Sequence, residues 1–363
     1  MDFTLDEEQL AARQAVTEVL AKRPAGEPGE ALWQDFAHAG LAGLTLARDV
    51  GGGQGMVALC LVLEEVGRSL AQVPLLPALV AAQAVDRFGS PAQRARWLPE
   101  AASGRAVLSL GITDGFGRPG AAPVTGRQAG AGWVLDGEQP FVPYAAQAAR
   151  VLLPVRAGER TLMVLLDPRL PGVEAREQQT MSGTAETLLR LRGVPVSDAD
   201  VVGPPAAGEQ VREWAWQRAV TGSCAVLVGL AAGALEMAAG YAGKRQQFGR
   251  AIGTFQAVAG HAANALIDVE AMRVTTWQAA WRLDAGRPAE REVAIAKFWA
   301  SEGAARVTGT AQHLHGGIGL ATSHPVNRYF TRARQLGLAF GTAPWHLSEL
   351  GRSMATSIGA DHE

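Results

Sequence analysis

The chain has little charge, little sulfur and few aromatic residues. Only 19% of its 363 residues are Asp, Glu, Lys or Arg, and the net charge is −2. So small an imbalance argues against nucleic acid or an anionic membrane as the main partner. Cysteine occurs twice, as Cys60 and Cys224. Two such residues in apolar, helix-like context make neither a disulfide framework nor a zinc spacing, and a reducing cytoplasm is the expected compartment. The opening "MDFTLDEEQLAARQAV" has neither the basic start nor the apolar centre of a secretory signal, so none is expected there. Long apolar runs are scarce as well. The exception, residues 219–242, is built from Ala and Gly, carries Glu236 and is broken by Thr and Ser. That pattern predicts a buried helix and not a membrane span.

Familiar catalytic signatures are also missing. There is no G-x-S-x-G elbow. "VGGGQG" (50–55) lacks the GK[ST] ending of a phosphate loop and reads as a turn between helices. His313 and His315 stand two apart in "QHLHGGIG" without a third ligand nearby in sequence, so no metal site is expected.

Apolar residues nevertheless make up 48% of the chain, which excludes disorder, and the length calls for two or three subdomains. Residues 1–103 read as helical. Asp6 or Thr4 can cap a first helix, a second surrounds Trp33–His38, and "SPAQRARWLPEAASG" opens with a Ser cap followed by Pro at the first helical position. Over 104–207 the texture changes to short apolar runs punctuated by Gly, Pro and Asp, the pattern of a small antiparallel β domain. From 208 to 363 helical periodicity returns, with segments predicted over 211–245, 254–284, 287–314 and 325–336. The stretch "GLAFGTAPWHL" (337–347) reads as a helix end, a Gly-Thr turn and a new helix. The expected architecture is α+β and mainly helical: an N-terminal helical domain, a middle β domain and a C-terminal four-helix bundle.

Two segments carry chemistry. "YAGKRQQFGRAIGTFQAV" (241–258) sets a guanidinium, an amide and an aromatic ring in a turn between two long helices, a set suited to a diphosphate. "HGGIG" (315–319) offers adjacent glycines where backbone can approach a ligand. Arg328, Arg332 and Arg334 lie on a predicted helix and suit an intersubunit contact.

Taken in this order, these segments resemble the acyl-CoA dehydrogenase family over nearly the whole chain. "AGLTLARDVGGGQGMVALCLVLEEVGRSLA", "GSPAQRARWLPEAASGRAV", "RQQFGRAIGTFQAV" and "LHGGIGLATSHPVNRYFTRAR" carry the similarity. The resemblance implies FAD shared at a subunit interface. It implies that Arg245, Gln247 and Phe248 contact the cofactor of a neighbouring subunit, with Gly316 and Gly317 allowing close approach. His313 stands where the family has Gln, with Gln312 beside it.

Other departures touch the reaction itself. The family's usual base is a Glu in a "YEGT" turn, and ungapped counting puts Phe340 there. Some members keep the Glu on the first long C-terminal helix, and that position is Ala219; Glu213 is nearly two turns away. The family's "TEP.aGSD" strand-loop is "ITDGFGRPGAA" (112–122) here, and its flavin-stacking element has become Phe141-Val142-Pro143. The resemblance therefore points to the base-lacking subunit of a heteromeric enzyme, an α2β2 assembly with two flavins, of the type that degrades steroid side chains in actinobacteria. Its implied partners are a related catalytic subunit, an acyl-CoA and an electron-transfer flavoprotein. Two other readings stand beside it: a homomeric flavoenzyme using Asp114, Glu138 or monooxygenase-type chemistry, and a non-catalytic assembly protein.

Overall fold

Capping chemistry starts the helices where the sequence sets it. A computed structural model describes residues 4–22, 29–115, 117–119 and 122–360. Asp2 and Phe3 of the opening motif, and Phe116, Gly120 and Ala121 of the 112–122 segment, lie outside the described residues. Helix α1 (Glu7–Ala21) begins at Asp6, whose side chain accepts from the Gln9 amide while Gln9 reaches back, a reciprocal capping box. Helices α2 (Glu30–His38), α3 (Met56–Arg68) and α4 (Leu75–Phe88) follow. Helix α5 (Pro91–Ala102) repeats the capping box with Ser90 and Gln93.

The middle segment forms one seven-stranded sheet from β1 (Leu108–Leu110), β2 (Val124–Gln128), β3 (Gly132–Pro143), β4 (Arg150–Ala157), β5 (Arg160–Leu166), β6 (Val173–Gln178) and β7 (Glu186–Ser197). It is mainly antiparallel. Strand β4 is the exception: β1 pairs parallel to its first half, Leu108 opposite Arg150, and β2 pairs parallel to its second half, Val124 opposite Val155. The other edge of β4 is taken by β5. Alternation sends Val124, Leu135, Val151, Val155, Val164, Leu189 and Val194 into one core.

The C-terminal helices are α6 (Gly208–Lys244), α7 (Gln256–Asp284), α8 (Glu290–His315), α9 (Pro325–Leu338) and α10 (Ala343–Ala360). Helix α6 is the described helix long and apolar enough to cross a membrane, and 78% of its most apolar window is buried in the protein. The apolar run is thus consumed by internal packing. Between α6 and α7 lies a short hairpin, β8 (Gln246–Gln247) and β9 (Arg250–Ala251).

Contacts group the chain into two units. One holds the described residues up to Gly55 together with Gln72–Ala219; the other holds Met56–Ala71 with the described residues from Val220 onward. In the first, helices and sheet are tied by polar side chains: Gln93 Nε2 donates to the carbonyls of Ala199 (2.7 Å) and Val201 (3.0 Å), and the Arg150 guanidinium lies 4.5 Å from the Trp97 ring centroid. In the second, α3 is bound into the bundle. Asp284 on α7 accepts from the free amides of Met56 (2.6 Å) and Val57 (3.0 Å), supplying a cap that α3 itself lacks. Buried Glu64 meets Arg273 of α7 at 2.8 Å.

Candidate functional site

The hairpin after α6 presents three of the sequence-selected residues. The Arg245 amide still closes the helix on the Tyr241 carbonyl (2.8 Å), and the Arg245 carbonyl accepts from Ile252 (2.8 Å), so the chain reverses at once. The turn residues Phe248 and Gly249 have φ of +53° and +77°, the left-handed pair of a type I′ hairpin. Glycine enters that region freely; for Phe it costs about 1–2 kcal/mol. Phe248 is also 92% exposed. Its ring meets Phe255 edge-on at 6.2 Å, and Arg250 covers Phe255 at 4.2 Å. Arg245 and Gln247 are exposed beside it.

The end of α8 carries the second group. Gly316 has φ +66° and ψ −148°, a conformation essentially restricted to glycine. A Cβ at Gly316 or Gly317 would meet nothing within 4 Å, so the backbone is open to an approaching group. His313 is exposed, whereas Gln312 is buried and spends its amide on the Gly319 carbonyl (3.2 Å). His315 is buried, stacked on Tyr241 with centroids 4.6 Å apart. Neither 237–267 nor 303–348 contains an Asp or Glu, and together they hold five of the chain's seven histidines. The segments that carry this surface are therefore suited to an anion.

Phe340 lies in the turn between α9 and α10, half-buried, with φ +57°. Two buried titratable side chains hold that turn, and motif reading missed both. Lys297, fully buried on α8, donates to the carbonyls of Leu336 (2.8 Å) and Gly337 (3.3 Å) at the end of α9. Burial lowers its ammonium to about 8. His346 Nε2 is 2.8 Å from the Phe340 carbonyl oxygen, which can only accept, so that nitrogen carries the proton. Burial depresses His346 to about 4 and keeps it neutral. The turn is thus braced by two buried side chains although residue 340 has no proton acceptor. Ala219, the other position singled out, is fully buried in α6. Glu213 is exposed and accepts from Gln217 at 2.9 Å.

In the first unit, Phe141 and Tyr144 also have left-handed φ, +54° and +53°, bracketing Val142-Pro143. The Phe141 amide donates to Gln178 (2.8 Å), and the Pro143 carbonyl accepts from the Ser109 hydroxyl. Buried Gln139 donates to the Thr113 carbonyl (2.8 Å). Asp114 pairs with Arg118 at 3.1 Å and Glu138 with Arg190 at 2.6 Å. Both carboxylates considered as substitute bases are therefore already engaged by arginine. Four of the five described non-glycine residues with positive φ are aromatic: Phe141, Tyr144, Phe248 and Phe340. Sequence order alone carries no signal of that strain.

Helices with a mixed sheet, followed by a helical bundle, form the acyl-CoA dehydrogenase fold. The chain belongs to the acyl-CoA dehydrogenase family: residues 6–105 match its N-terminal domain and residues 209–355 its C-terminal domain. It is 36% identical to acyl-CoA dehydrogenase FadE27 of Mycobacterium tuberculosis over 334 residues, 89% of this chain and 88% of that protein. Among solved structures it superposes on the ChsE4–ChsE5 complex of Mycobacterium tuberculosis with a TM-score of 0.90 and 34% identity, covering 98% of this chain and 99% of that one. A Tcur3481–Tcur3483 steroid acyl-CoA dehydrogenase variant gives 0.87 and 36%, covering 97% and 98%. FAD is the cofactor of this family.

Proposed function

We propose that this chain is the base-lacking subunit of a heteromeric FAD-dependent acyl-CoA dehydrogenase. The observation that carries the reading is an asymmetry within one chain. The hairpin of Arg245, Gln247 and Phe248 is presented intact and exposed, whereas residue 340 is Phe in a turn that Lys297 and His346 still brace. The residues present fit the nucleotide half of FAD: an exposed guanidinium, an exposed aromatic ring, open glycine backbone and no nearby acid in sequence.

Bound FAD supplies the hydride acceptor for α,β-dehydrogenation of an acyl-CoA thioester. In this chain Arg245 would hold the diphosphate, Phe248 would supply an aromatic contact to the nucleotide, and Gly316 and Gly317 would let the backbone come close. Gln247 and His313 add polar donors. The α-proton requires a carboxylate base. Phe340 and Ala219 cannot take it, so that step falls to a related subunit carrying the family's glutamate. An α2β2 assembly with a cytoplasmic location, a bulky acyl-CoA such as a steroid side-chain thioester, and an electron-transfer flavoprotein as acceptor complete the reading. The heteromeric and steroid-directed relatives support it. So does the exposed apolar surface at Leu266, Ile267, Ile318 and Leu320, which a lone chain would leave in water.

Replacing Arg245 by Ala removes a charge-assisted contact. FAD retention by the complex is expected to weaken about 10- to 100-fold. Flavin fluorescence released on dilution measures this directly, and unchanged retention contradicts the assignment.

A further inference from the structure

The exposed end of the bundle carries a histidine that the motifs do not single out. His261 sits in the second turn of α7, and its ring meets that of His313 on α8 edge-to-face, 5.7 Å between centroids and 68° between planes. Both side chains are exposed. Neither makes an ion pair among the described residues. The first turn of α7 adds to the setting: Phe255 at its N-cap gives no side-chain hydrogen bond, and no acid lies in that turn. Its leading amides therefore face outward with the positive end of the helix dipole. Two imidazoles, uncapped amides and the absence of any Asp or Glu over 237–267 and 303–348 converge on an anionic ligand with several acceptor oxygens.

We propose that His261 acts beside His313 as a second imidazole contact for the diphosphate of the bound flavin nucleotide, an inference that rests on the cofactor reading above. An imidazole carries at least one ring N–H whether neutral or protonated, so each can donate to a phosphate oxygen. An edge-to-face pair directs its two N–H edges differently and so serves two acceptors instead of one. The family's Gln at position 313 offers a single amide; here the pair offers two rings from two helices. Two histidines without a carboxylate or thiol do not make a metal site, and among the described residues no group of three such ligands is found.

The test uses the full chain co-purified with its glutamate-bearing partner and reads flavin retention, not turnover. His261→Leu keeps the bulk and removes the donor; His261→Gln restores an N–H. The Leu variant is expected to release FAD about tenfold more readily, and the Gln variant to recover most of that loss. ADP, competing for the same site, is expected to lose the same factor, and adenosine none. Equal retention by the Leu and Gln variants, with Arg245→Ala still losing flavin, overturns this inference and leaves the cofactor reading standing. Wild-type retention in all three overturns both. An equal loss for adenosine and ADP moves the contact to the base and overturns the diphosphate assignment.

Discussion

His346 is a buried imidazole that donates to the carbonyl of Phe340, the residue that ungapped counting sets at the family's base position. Its environment keeps it neutral: burial, with Lys297 as a further cation nearby, depresses it from 6.5 to about 4. Between those values the unfolded chain binds a proton that the folded chain refuses. Stability contributed by this group is therefore complete above pH 6.5 and is lost as pH falls through about 4. The loss is expected to reach about 3 kcal/mol. Urea unfolding of wild type and His346→Asn at pH 7, 5.5 and 4 checks it. The variant keeps an N–H donor but lacks the proton, so the gap between the two proteins should narrow as pH falls; a constant gap contradicts the assignment. Neither His346 nor Lys297 was legible as a pair in sequence. Lys297 stands in "AIAKFWASEG", which reads like the solvated edge of an amphipathic helix, and only the arrival of α9's last carbonyls explains its burial.

At the scale of elements, α3 and α6 cross where both lack side chains. A Cβ at Gly67 would overlap the Val226 carbonyl oxygen, and one at Gly229 would overlap that of Glu64. On propensity alone Gly→Ala within a helix gains about 1 kcal/mol, but forced overlap with backbone costs more, about 3 kcal/mol, because packed helices cannot part locally. Gly229→Ala is therefore expected to lower the melting temperature and Gly240→Ala, exposed with nothing within 4 Å, to raise it slightly. Melting curves for the two variants give opposite signs, and equal signs would contradict the close crossing. The same elements mark what sequence reading reaches. The caps at Asp6 and Ser90 and the turn after α9 were legible because their determinants lie within a few residues. The sharing of one β4 edge by β1 and β2 was not, since both pairings join segments far apart in the chain. Nor was the docking of α3 with α6 and α7: its periodicity resembles that of α4, and its partners are set by Asp284, Arg273 and the glycines of a helix some 160 residues on.

At the scale of the molecule, the bundle unit carries exposed apolar residues on α7 and on the turn after α8, and no charged residue occurs between Arg250 and Asp268. Such a surface belongs against another chain. On the proposed function the same unit also carries the cofactor-contacting hairpin, so that assembly and cofactor retention would be one event. On that proposal the turn at Phe340 fits the same scheme, because a subunit that completes a neighbour's site need not keep a reaction centre of its own. The most direct measurement is flavin absorbance together with native mass, for the chain expressed alone and then with a glutamate-bearing family member encoded beside it. The account predicts flavin-poor protein alone, and a mixed tetramer with about one FAD for each pair of chains when the two are combined. One FAD per chain in a homo-oligomer of this protein alone would contradict it, and would make Phe340 the mark of a different chemistry.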